Sequence, residues 1–293
     1  MKKKVVCYGE MLWDILPSSK QPGGAPMNVA VHLNNFGMES IVISRVGNDE
    51  LGDELLHFLK SKNMATDWIQ KDDTHITGIV NANISDRNEV VYDIVQPVAW
   101  DYIQYSEELE KTVSEVDVFI YGTLAARQSP SRSTLYQLLE AADYKVFDSN
   151  LRPPHYGMEE TEKLLHYADM LKINQQELIE ISAWFGKKED DLARMQLLQD
   201  KFKISEICVS LGEKGAVLLK DGQLYQQQGF RVNVADTIGS GDSFLAAYLY
   251  KSLAGETPQD TLSYACAVGA LIASKSGATP EYTEAEILNL MNS

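Results

Sequence analysis

The chain has 293 residues, 44% of them hydrophobic and 23% charged, which suits one large α/β domain or two modest ones of ordinary globular composition. Its formal net charge of −16 argues against nucleic-acid backbones and anionic membranes as general partners, because both carry negative charge. The three cysteines are scattered without metal-ligand spacing, and we expect them to be buried free thiols of a reducing compartment: Cys7, Cys208 and Cys266.

The amino-terminal segment starts like an export signal but does not continue as one. Three lysines follow Met1, but the apolar run after them is interrupted at once by Gly9, Glu10 and Asp14. No apolar run approaches the roughly 20 residues of a transmembrane helix. We therefore expect a cytoplasmic protein that does not bind membranes.

Two candidate ligand-binding residues follow the first predicted strand, at residues 4–8. Asp14 lies just beyond the carboxyl end of this strand, where open α/β sheets bind ligands, so it either binds sugar hydroxyls or is an ordinary loop acid. A Gly-Gly pair ending at Gly24 then precedes a helix that has Pro26 early in it and Asn28 in its first turn. The Asn28 amide suits a polyhydroxy ligand, although an Asn cap on a Gly-Gly turn also explains it.

The next segments predict a strand at 41–46, a helix reaching about residue 62, and a β-hairpin. Residues 77–83 and 89–94 alternate partly between apolar and polar side chains and flank a turn of polar residues. The hairpin interrupts the strand–helix rhythm. We therefore expect a small sheet that projects from the main body.

Polar side chains again follow predicted strands in the second half of the chain, where strands are predicted at 116–121, 145–147, 170–173 and 207–211. Arg152 offers a fixed guanidinium for phosphate or carboxylate, or else pairs with a nearby acid. Asn174 and Glu177 offer oxygen ligands for a hydrated Mg²⁺, which often keeps its waters. An Asn cap with a favourable glutamate in the first helical turn explains the same two residues.

Two glycine-bearing segments near the carboxyl end suggest a nucleotide site. Gly212 and Gly215 form either a simple turn or a Gly-rich edge against a nucleotide. A helix predicted from Thr257 to Ser276 is rich in small residues, which favour close helix packing or, less readily, contact with a flat ring.

The stretch around 236–242 is the most informative part of the chain. A strand-like run at 230–234 leads into a Gly-rich turn and a helix start, where unpaired N–H groups and the helix dipole favour an anion. A carboxylate beside such a site repels a phosphate, so we interpret Asp242 as a base that removes a proton from a substrate hydroxyl. Helix capping without chemistry is the alternative. The segment lacks the third glycine of a dinucleotide fingerprint, since Phe244 stands there.

Three segments resemble the signatures of one family in order and spacing. Residues 23–30 (GGAPMNVA) look like the amino-terminal signature of ribokinase-like, pfkB-type carbohydrate kinases. Residues 236–242 (DTIGSGD) look like its carboxyl-terminal signature, and 148–153 (DSNLRP) look like a segment frequent in fructokinases. The resemblance covers nearly the whole chain and is greatest to fructokinases.

The resemblance implies a single domain over 1–293, built as a three-layer α/β/α sandwich with a mostly parallel central sheet. A small β-sheet lid, formed by about 15–21 and 77–95, would close the sugar site and make a homodimer. The substrates would be a free sugar and ATP with Mg²⁺, and K⁺ is a further candidate ion.

The resemblance also implies roles for individual residues. The catalytic set would be Asp242 as the base, with Gly239, Ser240 and Gly241 as the anion hole. The sugar would contact Asp14, Gly24, Asn28 and Arg152. The nucleotide would contact Asn174, Gly212, Gly215 and Thr237. Glu177 would hold Mg²⁺ through water, and Asp236 a monovalent cation. Cys266 departs from the family, since relatives often have Asn near the adenine.

The expected reaction is transfer of the γ-phosphoryl group of Mg-ATP to a ketohexose, with fructose favoured by the resemblance at 25–26 and 148–153. Kinases for 2-keto-3-deoxygluconate or ribose are alternatives within the family. Two alternatives from other classes are a non-catalytic sugar sensor and a nicotinamide dehydrogenase. The intact Asp242 argues against the sensor, and the incomplete fingerprint argues against the dehydrogenase.

Overall fold

The computed structural model describes residues 2–16, 19–84 and 90–292. Within these ranges, a nine-stranded sheet forms the centre of the protein, in the order β13-β12-β11-β10-β9-β8-β1-β4-β5. The seven strands from β11 to β5 in this spatial order (β11, β10, β9, β8, β1, β4 and β5) run parallel. Strands β12 and β13 add an antiparallel edge. Their bounds are β1 Lys4–Tyr8, β4 Glu39–Gly47, β5 Ile69–Asp72, β8 Val118–Gly122, β9 Lys145–Asp148, β10 Met170–Asn174, β11 Glu206–Ser210, β12 Ala216–Lys220 and β13 Gln223–Gln227.

Helices cover both faces of this sheet. Because successive side chains of a strand point to opposite faces, Val5 and Cys7 of β1 join one apolar core while Val6 and Tyr8 join another. The first core is closed by α1 Ala25–Asn35, α2 Glu50–Ser61, α8 Ser240–Leu253, α9 Pro258–Ala273 and α10 Glu284–Met291. The second is closed by α3 Glu107–Ser114, α4 Ser129–Ala141, α5 Met158–Tyr167, α6 Gln175–Phe185 and α7 Asp191–Phe202. The predicted three-layer sandwich is confirmed.

A second, four-stranded sheet stands apart from the first, in the order β3-β2-β6-β7. Its strands are β2 Leu12–Leu16, β3 Ser19–Gly23, β6 Gly78–Ile84 and β7 Val90–Ile94. The hairpin predicted from 77 to 94 supplies β6 and β7, and β2 pairs with β6 in parallel. Leu12, Val80 and Trp100 share a small apolar core beneath this sheet. The turn predicted at 85–88 lies outside the described residues.

The strand predicted at 230–234 is wrong. Asp221 and Gly222, both with positive φ, form a tight hairpin turn that pairs the following residues with β12 at once. The strand therefore falls on Gln223–Gln227, and its last residue pairs with Ala216, the first residue of β12. Since β12 offers no partner beyond Ala216, residues 230–234 run without regular structure.

One helix end differs slightly from prediction. The small-residue helix α9 ends at Ala273, not at Ser276.

Among the described residues, none of the helices combines the length and apolar character needed to cross a lipid bilayer.

Candidate active site

The Gly-rich turn adopts the backbone that its sequence predicts. Gly239 precedes α8 with a φ of 74°, in the left-handed region that glycine favours. A Cβ at this position would lie 2.4 Å from the carbonyl oxygen of Ala278. Within the described residues, the backbone N–H groups of Gly241 and Asp242 donate to no protein acceptor, while Ser240 N donates to Thr237 O at 3.3 Å. The turn therefore offers free donors at a helix N-terminus, which is a favourable place for an anion.

Asp242 lies in the first turn of α8, and its carboxylate is held by another helix. Asn28 Nδ2, in the first turns of α1, donates to Asp242 Oδ2 at 2.8 Å. The described N-terminus of α8 has no side-chain cap. Capping alone therefore does not account for Asp242.

Two further carboxyl groups face Asp242. Burial raises the pKa of Glu10 to about 7 and that of Asp14 to about 6; the Arg152 guanidinium lowers both values, and the Asp242 carboxylate raises them. Glu10 is only 4% exposed, and it follows β1 in the segment where Asp14 was predicted to bind ligand. Arg152 makes no ion pair within 4 Å among the described residues, so pairing with an acid does not explain it. Glu10, Asp14 and Asp242, here called the carboxylate cluster, thus lie within electrostatic reach of one another, and the Arg152 charge acts on Glu10 and Asp14.

The Gly-Gly pair allows these groups to approach the backbone closely. A Cβ on Gly23 would lie 2.3 Å from Asp14 Oδ2, and one on Gly24 would lie 2.4 Å from the Glu10 carbonyl oxygen. Gly24 also caps α1 with a φ of 112°. Gly23 therefore leaves room for the Asp14 carboxylate, and Gly24 leaves room for the backbone at Glu10.

Asn174 and Glu177 form a capping box at the start of α6. Asn174 Oδ1 accepts from Glu177 N, and Glu177 Oε2 accepts from Asn174 N, both at 2.9 Å. Glu177 also accepts from Ser149 Oγ at 2.9 Å and from Leu151 N at 2.8 Å. A carboxylate has about four acceptor sites, and three are used here.

These contacts decide how a metal ion fits. Among the described residues, no group of three or more His, Cys, Asp and Glu side chains is arranged to hold a metal. The remaining acceptor site of Glu177 fits a hydrogen bond from a metal-bound water better than direct coordination. This donor set suits Mg²⁺, which commonly keeps several waters and is held largely by substrate phosphates.

A buried lysine near the turn was not identified from the sequence. Lys172 of β10 is 7% exposed, and its Nζ lies 3.1 Å from Asp148 Oδ1 at the end of β9. Burial raises the pKa of Asp148 to about 6, although Lys172 opposes the change. The available signal was a lysine inside an otherwise apolar strand, a residue type that is rarely buried unless paired.

A cleft of about 1010 Å³ opens beside the turn. Three of the four predicted nucleotide-binding residues line it: Gly212, Gly215 and Thr237. The fourth, Asn174, does not. Ser240 and Gly241 line the cleft together with Cys266, and burial raises the pKa of the Cys266 thiol to about 12. Small residues of α9 make part of the wall: Gly269, Ala270 and Ala273.

Asp236 ties the turn to the segment after α9. Its Oδ1 accepts from Ile238 N at 3.0 Å, and its Oδ2 accepts from Gly277 N at 3.4 Å. Ala273 O accepts from the backbone N–H groups of both Ala235 and Asp236. Asp236, which was predicted to hold a monovalent cation, thus lies among Ile238, Ala273 and Gly277, and that ion remains a prediction.

The arrangement suits phosphoryl transfer: free N–H donors at a helix N-terminus, a carboxylate in the first turn of that helix, and a large cleft lined by residues of the turn. A model of the pfkB family of carbohydrate kinases matches residues 2–285. The chain belongs to this family and is a carbohydrate kinase.

Individual relatives agree with this assignment. The chain is 29% identical over 317 residues to fructokinase-2 of Solanum habrochaites, covering 98% of this chain and 95% of the relative. A fructokinase of Vibrio cholerae O395, solved with fructose, ADP and calcium ion bound, is 25% identical and covers 99% of each chain, with a TM-score of 0.85. A 2-dehydro-3-deoxygluconokinase of Thermotoga maritima has a TM-score of 0.86 at 21% identity, covering 99% of this chain and 100% of its own, so this likeness shows the fold alone.

Proposed function

We propose that this protein transfers the γ-phosphoryl group of Mg-ATP to a hydroxyl of free fructose. The observation that carries the proposal is the position of Asp242. It accepts from Asn28 Nδ2 at 2.8 Å and lies beside the free N–H groups of the turn, whose residues Ser240 and Gly241 line the large cleft. The relatives with fructokinase names, including one solved with fructose and ADP, support this choice of substrates.

In the proposed reaction, Asp242 removes the proton of the attacking sugar hydroxyl. The hydroxyl oxygen forms a bond to the γ-phosphorus, the bond between that phosphorus and the β,γ-bridging oxygen breaks, and ADP leaves. The N–H groups at Gly241 and Asp242 stabilise the negative charge on the phosphoryl oxygens. Mg²⁺ carried by the phosphates supplies further charge neutralisation when bound. Positioning supplies much of the rate, because little covalent chemistry is required of the protein.

The sugar would lie among Asp14, Gly24, Asn28 and Arg152. The nucleotide would occupy the cleft lined by Gly212, Gly215 and Thr237, with Asn174 and Glu177 near its phosphates and metal. Asp236 would hold K⁺. We further propose one domain over 1–293 with the four-stranded sheet as its lid, a homodimer through that lid, and a cytoplasmic location.

A coupled ADP-release assay with Mg-ATP and a sugar panel tests the proposal. The panel contains fructose, ribose, mannose, glucose and 2-keto-3-deoxygluconate. We expect turnover with fructose to exceed the others clearly. Absence of turnover with every sugar, while ATP still raises the melting temperature, would favour the sensor alternative.

A specific observation favours a second candidate, a kinase for 2-keto-3-deoxygluconate. Arg152 faces the carboxylate cluster without an ion-pair partner among the described residues, and a guanidinium binds a carboxylate well. Arg152→Met separates the candidates. For the acidic sugar, loss of a charge-assisted bond would raise KM by about tenfold or more, since such bonds contribute roughly 1.5–3 kcal/mol. For fructose the effect would be smaller.

A further inference from the structure

A buried positive charge lies beside the anion-binding turn. A Cβ added to Gly241 would lie 3.2 Å from Lys172 Nζ, so the ammonium sits directly against the backbone of the turn. Lys172 reaches this point from β10, and the bulk of its side chain is buried. Glycine at position 241 thus leaves room for the ammonium, whereas any other residue would require a small shift of one of the two groups.

The lysine has hydrogen-bonding capacity that the protein does not use. An ammonium group carries three N–H donors. Among the described residues, Asp148 Oδ1 is the one acceptor that Lys172 Nζ contacts, at 3.1 Å. A buried ammonium with unused donors is unfavourable unless another group accepts from it.

The charge of Lys172 is maintained by its surroundings. Burial favours the neutral amine, but the carboxylates of Asp148, Glu177 and Asp242 outweigh it and raise the pKa of Lys172 above its ordinary value. The residue is therefore a cation at neutral pH. A single buried partner, Asp148, would suffice for a structural ion pair, yet the ammonium is placed against Gly241.

We propose that Lys172 is a further catalytic residue, whose ammonium donates a hydrogen bond to a non-bridging oxygen of the phosphoryl group during transfer. This inference rests on the proposed kinase reaction. The Lys172 proton stays on nitrogen throughout, and the proton of the sugar hydroxyl goes to Asp242. Asp148 acts as a positioning residue that holds the ammonium against the turn.

The test uses a double variant that removes both buried charges together, and a single variant as its reference. Lys172→Met alone would leave the Asp148 carboxylate without its partner, so Lys172→Met/Asp148→Asn is compared with Asp148→Asn. We expect the double variant to lose about 10²-fold or more in kcat, in the range for one anion-hole donor, with the sugar KM changed less than about threefold. We expect Asp148→Asn to lose less than about tenfold, because the Asn amide oxygen can still accept from the Lys172 ammonium and hold it beside the turn.

A second measurement separates contact with the transferred group from a structural role. Binding of ADP with aluminium fluoride and sugar, which mimics the phosphoryl group in transfer, is compared by calorimetry with binding of ADP alone. The double variant should lose about 10²-fold in affinity for the mimic while its affinity for ADP changes little. If the double variant does not fold, Lys172→Gln, which keeps a donor toward Asp148, gives the same comparison.

The outcomes distinguish this inference from the function on which it rests. Wild-type protein that phosphorylates no sugar overturns the proposed function. Wild-type turnover together with a double variant within about threefold of wild type in kcat and in mimic affinity overturns the role of Lys172 alone. Equal losses for ADP and for the mimic would make the pair purely structural and would also overturn it.

Discussion

Asn28 and Asp242 lie 214 positions apart in the sequence and meet through a hydrogen bond of 2.8 Å. Helix α1 supplies the donor and α8 the acceptor. One turn further along α1, His32 Nε2 contacts Ala278 O at 3.0 Å, and Ala278 packs directly against Gly239. One face of α1 therefore holds both the carboxylate and the turn that begins α8.

Replacing the carboxylate should remove turnover without unfolding the protein. We expect Asp242→Asn to lose at least about 10²-fold in kcat, because a positioned general base contributes roughly 10²–10⁴-fold. Its melting temperature and ATP affinity should stay close to wild type. Asp200→Asn, on the exposed surface of α7, is the matched control. Near-normal turnover of Asp242→Asn would contradict its role as base.

The turn should not tolerate a methyl group at its first glycine. Gly239→Ala places a Cβ 2.4 Å from Ala278 O at a φ of 74°, so we expect a loss of about 1–3 kcal/mol in the free energy of unfolding and a large loss in turnover. Gly157→Ala is the control, since nothing lies within 4 Å of its Cβ and its φ is −151°. Urea unfolding measures both; equal stability of the two variants would show that the strain is absent.

Removing the His32 contacts should weaken the support that α1 gives, through Ala278, to the turn at Gly239. His32 is fully buried and contacts Tyr282 OH and Ala278 O, both at 3.0 Å. We expect His32→Ala to lose about 2–4 kcal/mol in stability, because a cavity forms and a buried carbonyl loses its partner. At a temperature where the variant stays folded, kcat should also fall. A stable variant with unchanged kcat would show that the His32 contacts are not needed to hold the turn.

Glu10 should make stability depend on pH. Folding raises its pKa from about 4.5 to about 7, so the folded state binds the proton more tightly than the unfolded chain. Stability is therefore greatest below pH 4.5 as far as Glu10 is concerned, and falls as the pH rises through 7, by about 3 kcal/mol in all. Glu10→Gln should raise the melting temperature at pH 8 much more than at pH 5. An equal effect at both values would exclude a raised pKa.

The sequence predicted the central sheet well because its strands are apolar runs that end in polar or glycine residues. The small sheet was harder to predict. Strand β2 contains Asp14, and β3 contains Lys20 and Gln21, so neither shows a clear pattern, and both depend on pairing with distant β6. Propensity and periodicity carry little information about such long-range pairing.

The prediction of the site was incomplete for a similar reason. Asp242 and Asn28 lie in local motifs of turn and helix start, which can be read from adjacent residues. The Lys172–Asp148 pair joins two strands 24 positions apart, and its closeness to Gly241 arises only when α8 packs on the sheet. Likewise, the error at 230–234 came from a hairpin turn whose register is fixed by β12.

If the proposed roles hold, the contact between α1 and α8 has a consequence for the order in which the site forms during synthesis. The residues proposed to bind sugar precede residue 153, whereas the turn and the base lie at 239–242. A growing chain can assemble the small sheet and much of the central sheet before Asp242 has left the ribosome. Until α8 docks beside Asn28, such a chain lacks the proposed base and the proposed anion hole, so we expect it not to consume ATP.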